Sequence, residues 1–182
     1  ERYPPSPELG QAYSEHAPVM TMLPWFGRAL RYGKRSSQIR RDLGDVWGQG
    51  QSMGFTGVAL YAASRYAEGE QACREALRLL EETGDRWEAN TAGWNLALCL
   101  YRAGELAEAA AISHGVYLSA MDIGDQTSAG VALSVWARST GGRVDPELIQ
   151  DQLDHGSEDA STTTELQLAA GLCALQRGDL NG

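Results

Sequence analysis

The chain has 182 residues, a formal net charge of −9 and an isoelectric point near 4.8, a balance that repels phosphate backbones and argues against nucleic acid as the main partner. With 43% hydrophobic and 21% charged residues it buries a core, which excludes a disordered tail. No stretch nears the roughly 20 consecutive apolar residues of a membrane span, and no signal-peptide layout opens the chain.

Pro4, Pro5 and Pro7 mark residues 1–8 as a linker, because proline fixes φ and lacks a donor. Pro18 and Pro24 bound or kink whatever lies before Trp25. Trp25 to Asp42 then reads as the second helix of an incomplete unit over 9–43. A Gly-Asp token comes next and recurs. Gly44-Asp45-Val46-Trp47, Gly84-Asp85-Arg86-Trp87 and Gly124-Asp125-Gln126-Thr127 stand 40 residues apart both times. Glycine ends one helix by taking φ > 0 without a Cβ clash, and aspartate accepts from the free N–H groups that open the next.

Two helical patterns lie between successive tokens. The repeat 44–83 holds helices at about 46–63 and 66–82 with a turn at Ser64-Arg65. In the repeat 84–123, Ala89, Ala92, Gly93, Leu96, Ala97 and Leu100 recur at three- and four-residue steps, one face of a helix over 87–102. Ala103-Gly104-Glu105 breaks it, and a second helix runs from about 106 to 121. An irregular unit over 124–162 has a helix at 126–139, the pair Gly141-Gly142, a short helix opening at Val144-Asp145-Pro146-Glu147, and a polar loop over 154–162. A last helix at 163–176 ends in Arg177-Gly178-Asp179-Leu180, which matches residues 102–106 in kind, so 163–182 reads as part of a further unit. A start at Glu1 and a stop inside a motif suggest a fragment of a longer protein. No sustained β alternation is present. The fold expected is all-α, an α-solenoid of antiparallel helix pairs.

Leu96, Ala97, Leu100, Gly104, Leu106 and Ala109 recur in type as Thr56, Gly57, Leu60, Ser64, Tyr66 and Gly69, with Ala76 at a later small position. Small residues sit where two helices approach closely. On these positions, and on the phrases at 80–87 and 102–109, the chain resembles a tetratricopeptide-repeat array of the kind found in large bacterial signalling and regulatory proteins. The resemblance is close over 44–123 and loose over the rest of 26–182. It implies a right-handed superhelix and a non-catalytic module without a cofactor; the spacing of 40 departs from the family's usual period of about 34 and suggests longer helices. The parent protein would carry an ATPase, kinase, cyclase or DNA-binding domain. The module would hold a protein or peptide segment, or a neighbouring domain of the same parent chain, on a concave face lined by the first helices.

Carried over by the 40-residue register, that face comprises Gln51, Phe55, Val58 and Tyr61, then Thr91, Trp94, Asn95, Leu98, Tyr101 and Arg102, then Val131, Ser134 and Arg138. The Asn95 amide can donate and accept at once, which suits a peptide backbone. Trp94 and Tyr101 offer apolar area with a polar tip. The alternatives are a small molecule sensed in that groove and a DNA-linked role through a basic helix. That helix, 25–42, carries Arg28, Arg31, Lys34, Arg35, Arg40 and Arg41, six of the 15 basic residues, on an acidic chain. It reads as a solvated or intramolecularly paired helix, or as a dock for an acidic partner domain or nucleic acid.

No catalytic or metal-binding constellation emerges. His16, His114 and His155 are scattered, with no partner at ligand spacing. Cys73, Cys99 and Cys173 form no CxxC; the first two fall on apolar helix faces, and the odd count fits a reducing, cytoplasmic compartment. The glycines from Gly48 to Gly54 lack a phosphate loop's Gly-Lys-Ser/Thr ending and read as helix-packing positions. Glu81-Glu82 point apart on a helix. A single lysine against fourteen arginines suggests a GC-rich bacterial genome. An unfinished repeat exposes an apolar end, so self-association of the fragment is expected.

Overall fold

A computed structural model describes residues 4–156 and 159–178, and among them every regular element is an α-helix. In chain order these are α1 (Pro7–Met22), α2 (Phe26–Asp42), α3 (Val46–Ala62), α4 (Tyr66–Thr83), α5 (Arg86–Ala103), α6 (Leu106–Ile123), α7 (Gln126–Ser139), α8 (Pro146–His155) and α9 (Ala160–Arg177). The protein is an all-α array of helix pairs. No helix among the described residues is long and apolar enough to cross a membrane. Residues 1–3 of the proline-rich start, 157 and 158 of the polar run, and 179–182, where the sequence matches the opening of another helix, lie outside the described residues.

The Gly-Asp token performs both of its jobs. Gly44, Gly84 and Gly124 sit at φ of +71°, +73° and +75°, a region costly for a residue with a Cβ. Each following aspartate caps a helix through Oδ1, accepting from Gly48 N at 2.8 Å, Glu88 N at 3.0 Å and Ser128 N at 3.1 Å. The turns inside the pairs follow the same register. Ser64 takes φ +59° where Gly104, 40 residues later, takes +91°.

Two helix starts differ from the sequence reading. The first helix opens at Pro7, not after the prolines, because the Ser6 hydroxyl accepts from Leu9 N at 3.2 Å and proline needs no donor at a first helical position. It continues through Pro18, forfeiting one backbone hydrogen bond. The polar run before residue 163 holds a cap as well as a loop. Asp159 accepts from Thr162 N at 2.8 Å and Thr162 Oγ1 at 2.9 Å, so α9 starts at Ala160.

The chain divides into two compact units, Glu1–Cys99 and Leu100–Gly182, with the division inside α5. In the first, α1 packs on α2, α2 on α3 and α3 on α4, and α1 also reaches α3. Ile39, Leu60, Leu80 and Leu96 are buried there. Helices α3 and α4 cross at Gly57 and Gly69. A Cβ on Gly57 would collide with Cys73 Sγ, and one on Gly69 would lie 2.9 Å from Cys99 Sγ. In the second unit α6 packs on α7, and α7 meets α8 and α9 around Leu133, Val135, Ile149 and Leu166.

Candidate functional site

The first helices of the pairs carry the residues expected to bind. In the first unit the structure splits them into two kinds. Phe55, Val58, Tyr61, Thr91, Trp94 and Leu98 are half-buried, neither core nor fully solvated. Val58 and Leu98 hold equivalent register positions on α3 and α5. Gln51 and Asn95 are buried, at 8% and 2% exposed. The Gln51 Oε1 accepts from Ser14 Oγ at 3.4 Å and from Arg40 Nη2 at 3.5 Å, and its Nε2 donates to Glu88 Oε1 at 3.1 Å. Asn95 Nδ2 donates to the Thr91 carbonyl at 2.8 Å, one turn back on its own helix. The Gln51 amide is spent inside the fold on both its oxygen and its nitrogen, and the buried Asn95 amide is turned back on its own helix through Nδ2.

In the second unit Tyr101 and Val131 are half-buried and Arg102 is exposed. Ser134 is fully buried and donates to the Val131 carbonyl at 2.9 Å. Arg138 is held on three sides. Its guanidinium lies 5.5 Å over the Tyr101 ring, pairs with Glu165 at 2.9 Å and donates to Ser134.

The six cations of α2 do not form one patch. Arg40 is 3% exposed. It donates through Nη1 to Asp45 Oδ2 at 2.7 Å and through Nη2 to Gln11 Oε1, and it lies 5.8 Å over the Trp47 ring. Arg40 therefore leaves the expected basic patch and takes the intramolecularly paired alternative: it ties α1, α2 and the start of α3 together. The burial follows from α1, which the proline-rich start conceals in the sequence. Arg28 and Arg31 are exposed near the start of α2, with Arg28 5.2 Å over the Trp25 ring. Arg35 is half-buried.

The remaining two, Lys34 and Arg41, are exposed and line a cleft of about 490 Å³ among α2, α3 and α4. Sequence reasoning missed this cleft, because its walls come from three helices and its α3 residues lie on the face opposite the expected groove. Arg65, at its edge, grips Glu68 with Nε at 2.7 Å and Nη2 at 2.6 Å. These hydrogen bonds hold the Glu68 carboxyl below its ordinary value.

His114 stacks on Trp136 with ring centroids 4.2 Å apart, and His155 faces Asp151 at 3.1 Å. Among the described residues no group of three or more His, Cys, Asp or Glu side chains could hold a metal ion. Cys73 and Cys99 are buried free thiols in contact. The hydrogen bond with Cys99, together with burial, pushes the Cys73 thiol up. Comparison of the chain with models of known protein families finds no match, and comparison with curated protein sequences finds none either.

Proposed function

We propose that this chain is a helical-repeat binding module that holds an extended protein segment against its first helices, as part of a larger bacterial regulator. The tetratricopeptide resemblance supports this reading. The observation that carries it is the half-buried row Phe55, Val58, Trp94 and Leu98 on α3 and α5. Their helices already bury Leu60, Leu96 and Leu100 in the core. Apolar and aromatic side chains left half-open on rigid helices are what binding anchors need, since little entropy is lost when they are covered. The segment recognised would be apolar and aromatic rather than a charged tail, because Gln51, Asn95 and Arg138 are already engaged within the fold.

Selection of random peptides on the immobilised chain tests the reading. Enriched peptides are expected to lose about tenfold or more in affinity on Trp94→Ala with Leu98→Ala, with thermal melting of the variant confirming that it folds. Peptides that bind the double variant as tightly as the parent would place recognition elsewhere.

A further inference from the structure

The cleft among α2, α3 and α4 lies apart from the half-buried row, and its chemistry is different. We propose that it is a binding site for a small organic anion: an apolar body bearing a phosphate or carboxylate group.

Size points to a small molecule. About 490 Å³ falls within the roughly 300–1,000 Å³ typical of small-ligand sites. The walls are two-faced. Leu30 on α2 and Met53 and Leu60 on α3 supply apolar surface. Met53, Thr56 and Leu60 follow at three- and four-residue steps, so one stripe of α3 faces the cleft.

The polar side is cationic, and neither of its α2 charges is neutralised by a contact ion pair. Lys34 and Arg41 stand two turns apart on α2, about 10 Å along the axis. The side chains of both form no hydrogen bond or ion pair with another described residue. On the same chain, of net charge −9, Arg65, Arg74, Arg78 and Arg138 each hold a carboxylate at 2.9 Å or less. The nearest carboxylates are already taken. Glu68 is gripped by Arg65. Glu75 is held below its ordinary value by its hydrogen bond with Arg78 and, secondarily, by the charge of Arg41.

Ser37 adds a third donor. It lines the cleft and is only 6% exposed, yet its hydroxyl is not an orphaned buried group and reaches the open space of the cleft. One anionic oxygen between Lys34 and Arg41 would accept from all three groups, while the apolar body rests on Met53 and Leu60.

Calorimetric titration of the whole chain at about 50 mM salt, where surface charge is weakly screened, tests the assignment. The probes are 1-naphthyl phosphate, 1-naphthoate, neutral 1-naphthol, inorganic phosphate and a hexaglutamate peptide. One of the two naphthyl anions is expected to bind one-to-one. It should bind about tenfold or more tighter than naphthol or inorganic phosphate. The tighter of the two identifies the head group. Lys34→Gln with Arg41→Gln should cost about tenfold or more in that affinity, and Ser37→Ala about threefold. Amine acetylation of the parent chain, read by mass spectrometry, gives a measurement independent of any variant, since the bound anion should slow modification of Lys34. Absence of binding by both naphthyl anions, equal binding to the double variant, unprotected Lys34, or tighter binding of hexaglutamate than of either anion would each overturn the proposal.

Discussion

Arg40 and Arg41 are neighbours in sequence and opposites in role. Helical geometry turns their side chains about 100° apart, so one faces α1 and α3 and the other the cleft. Arg40 satisfies Asp45, Gln11 and Gln51 from a site 3% exposed. Truncating it leaves the Asp45 carboxylate and two amide oxygens short of a donor. Because the Asp45 carboxylate is itself a third exposed, the loss is that of a part-buried hydrogen-bonded group, about 1–3 kcal/mol. We expect Arg40→Ala to lower unfolding free energy by about that amount in urea denaturation. Arg41→Ala, on the exposed side, should change it by less than about 0.5 kcal/mol. Equal effects of the two substitutions would refute the division of the basic helix into a buried hub and an open cleft.

At the scale of the helix pair, glycine sets the spacing. Gly57 and Gly69 let α3 and α4 approach until their backbones nearly touch, each Cβ position lying 3.5 Å from the other residue's carbonyl oxygen. Cys73 and Cys99 fill the space beside the crossing. Gly57→Ala must displace Cys73 Sγ, and overpacking of this kind costs about 1–3 kcal/mol. Gly115, exposed on α6 with nothing near its Cβ position, offers the contrasting case. Replacing it with alanine should gain about 0.5–1 kcal/mol, the difference in helix propensity. Opposite signs in thermal melting are the expected result; a gain at both sites would mean that the α3–α4 crossing has slack.

Local chemistry also decided what the sequence could disclose. The helix pairs were legible because a positive-φ glycine followed by a capping aspartate is a short signal, readable at Gly84-Asp85 without any tertiary knowledge. The cap at Asp159 was present too, but three serines and threonines around it resembled a loop. Gln51 and Arg40 were misplaced for a different reason. Their burial depends on α1, whose prolines hide a helix, and periodicity on α3 alone cannot tell which side a preceding helix covers. The cleft was invisible for the same reason, since Lys34, Ser37, Met53 and Arg65 meet only after three helices pack.

Over the whole chain, pH sets two opposing electrostatic effects against each other. Glu8, Glu68, Glu75 and Asp159 have carboxyl values lowered by the fold. A backbone amide and Ser6 act on Glu8, Arg65 on Glu68, Arg78 on Glu75 and Thr162 on Asp159. A lowered value means that the unfolded chain binds more protons, so the stability these groups contribute is complete above the ordinary carboxylate values of 4.5 and 3.8 and is lost as pH falls through the folded values. Burial, with a smaller push from Asp151, raises Tyr117 above 10.0, and the bond to Cys99 together with burial raises Cys73 above 9.0. For these acids the sign reverses, and stability present below the unfolded value is lost as pH rises past it. Against the acid limb stands the net charge of −9, whose self-repulsion eases as carboxylates take up protons. Repulsion is spread over the surface and is screened within about 10 Å at 0.1 M salt, whereas paired groups in contact are screened less. The specific losses therefore win below pH about 4.5, and relief of repulsion wins only between there and neutrality. The urea midpoint should rise slightly from pH 7 to about 5, more at low salt than at high salt, then fall steeply toward pH 3, with a separate decline above about pH 9. Asp159→Asn keeps an acceptor for the α9 cap but removes one titrating group, so it should make the acid limb shallower. A midpoint that kept climbing from pH 5 to 3 would show that diffuse repulsion, and not these pairs, governs the stability of the chain in acid.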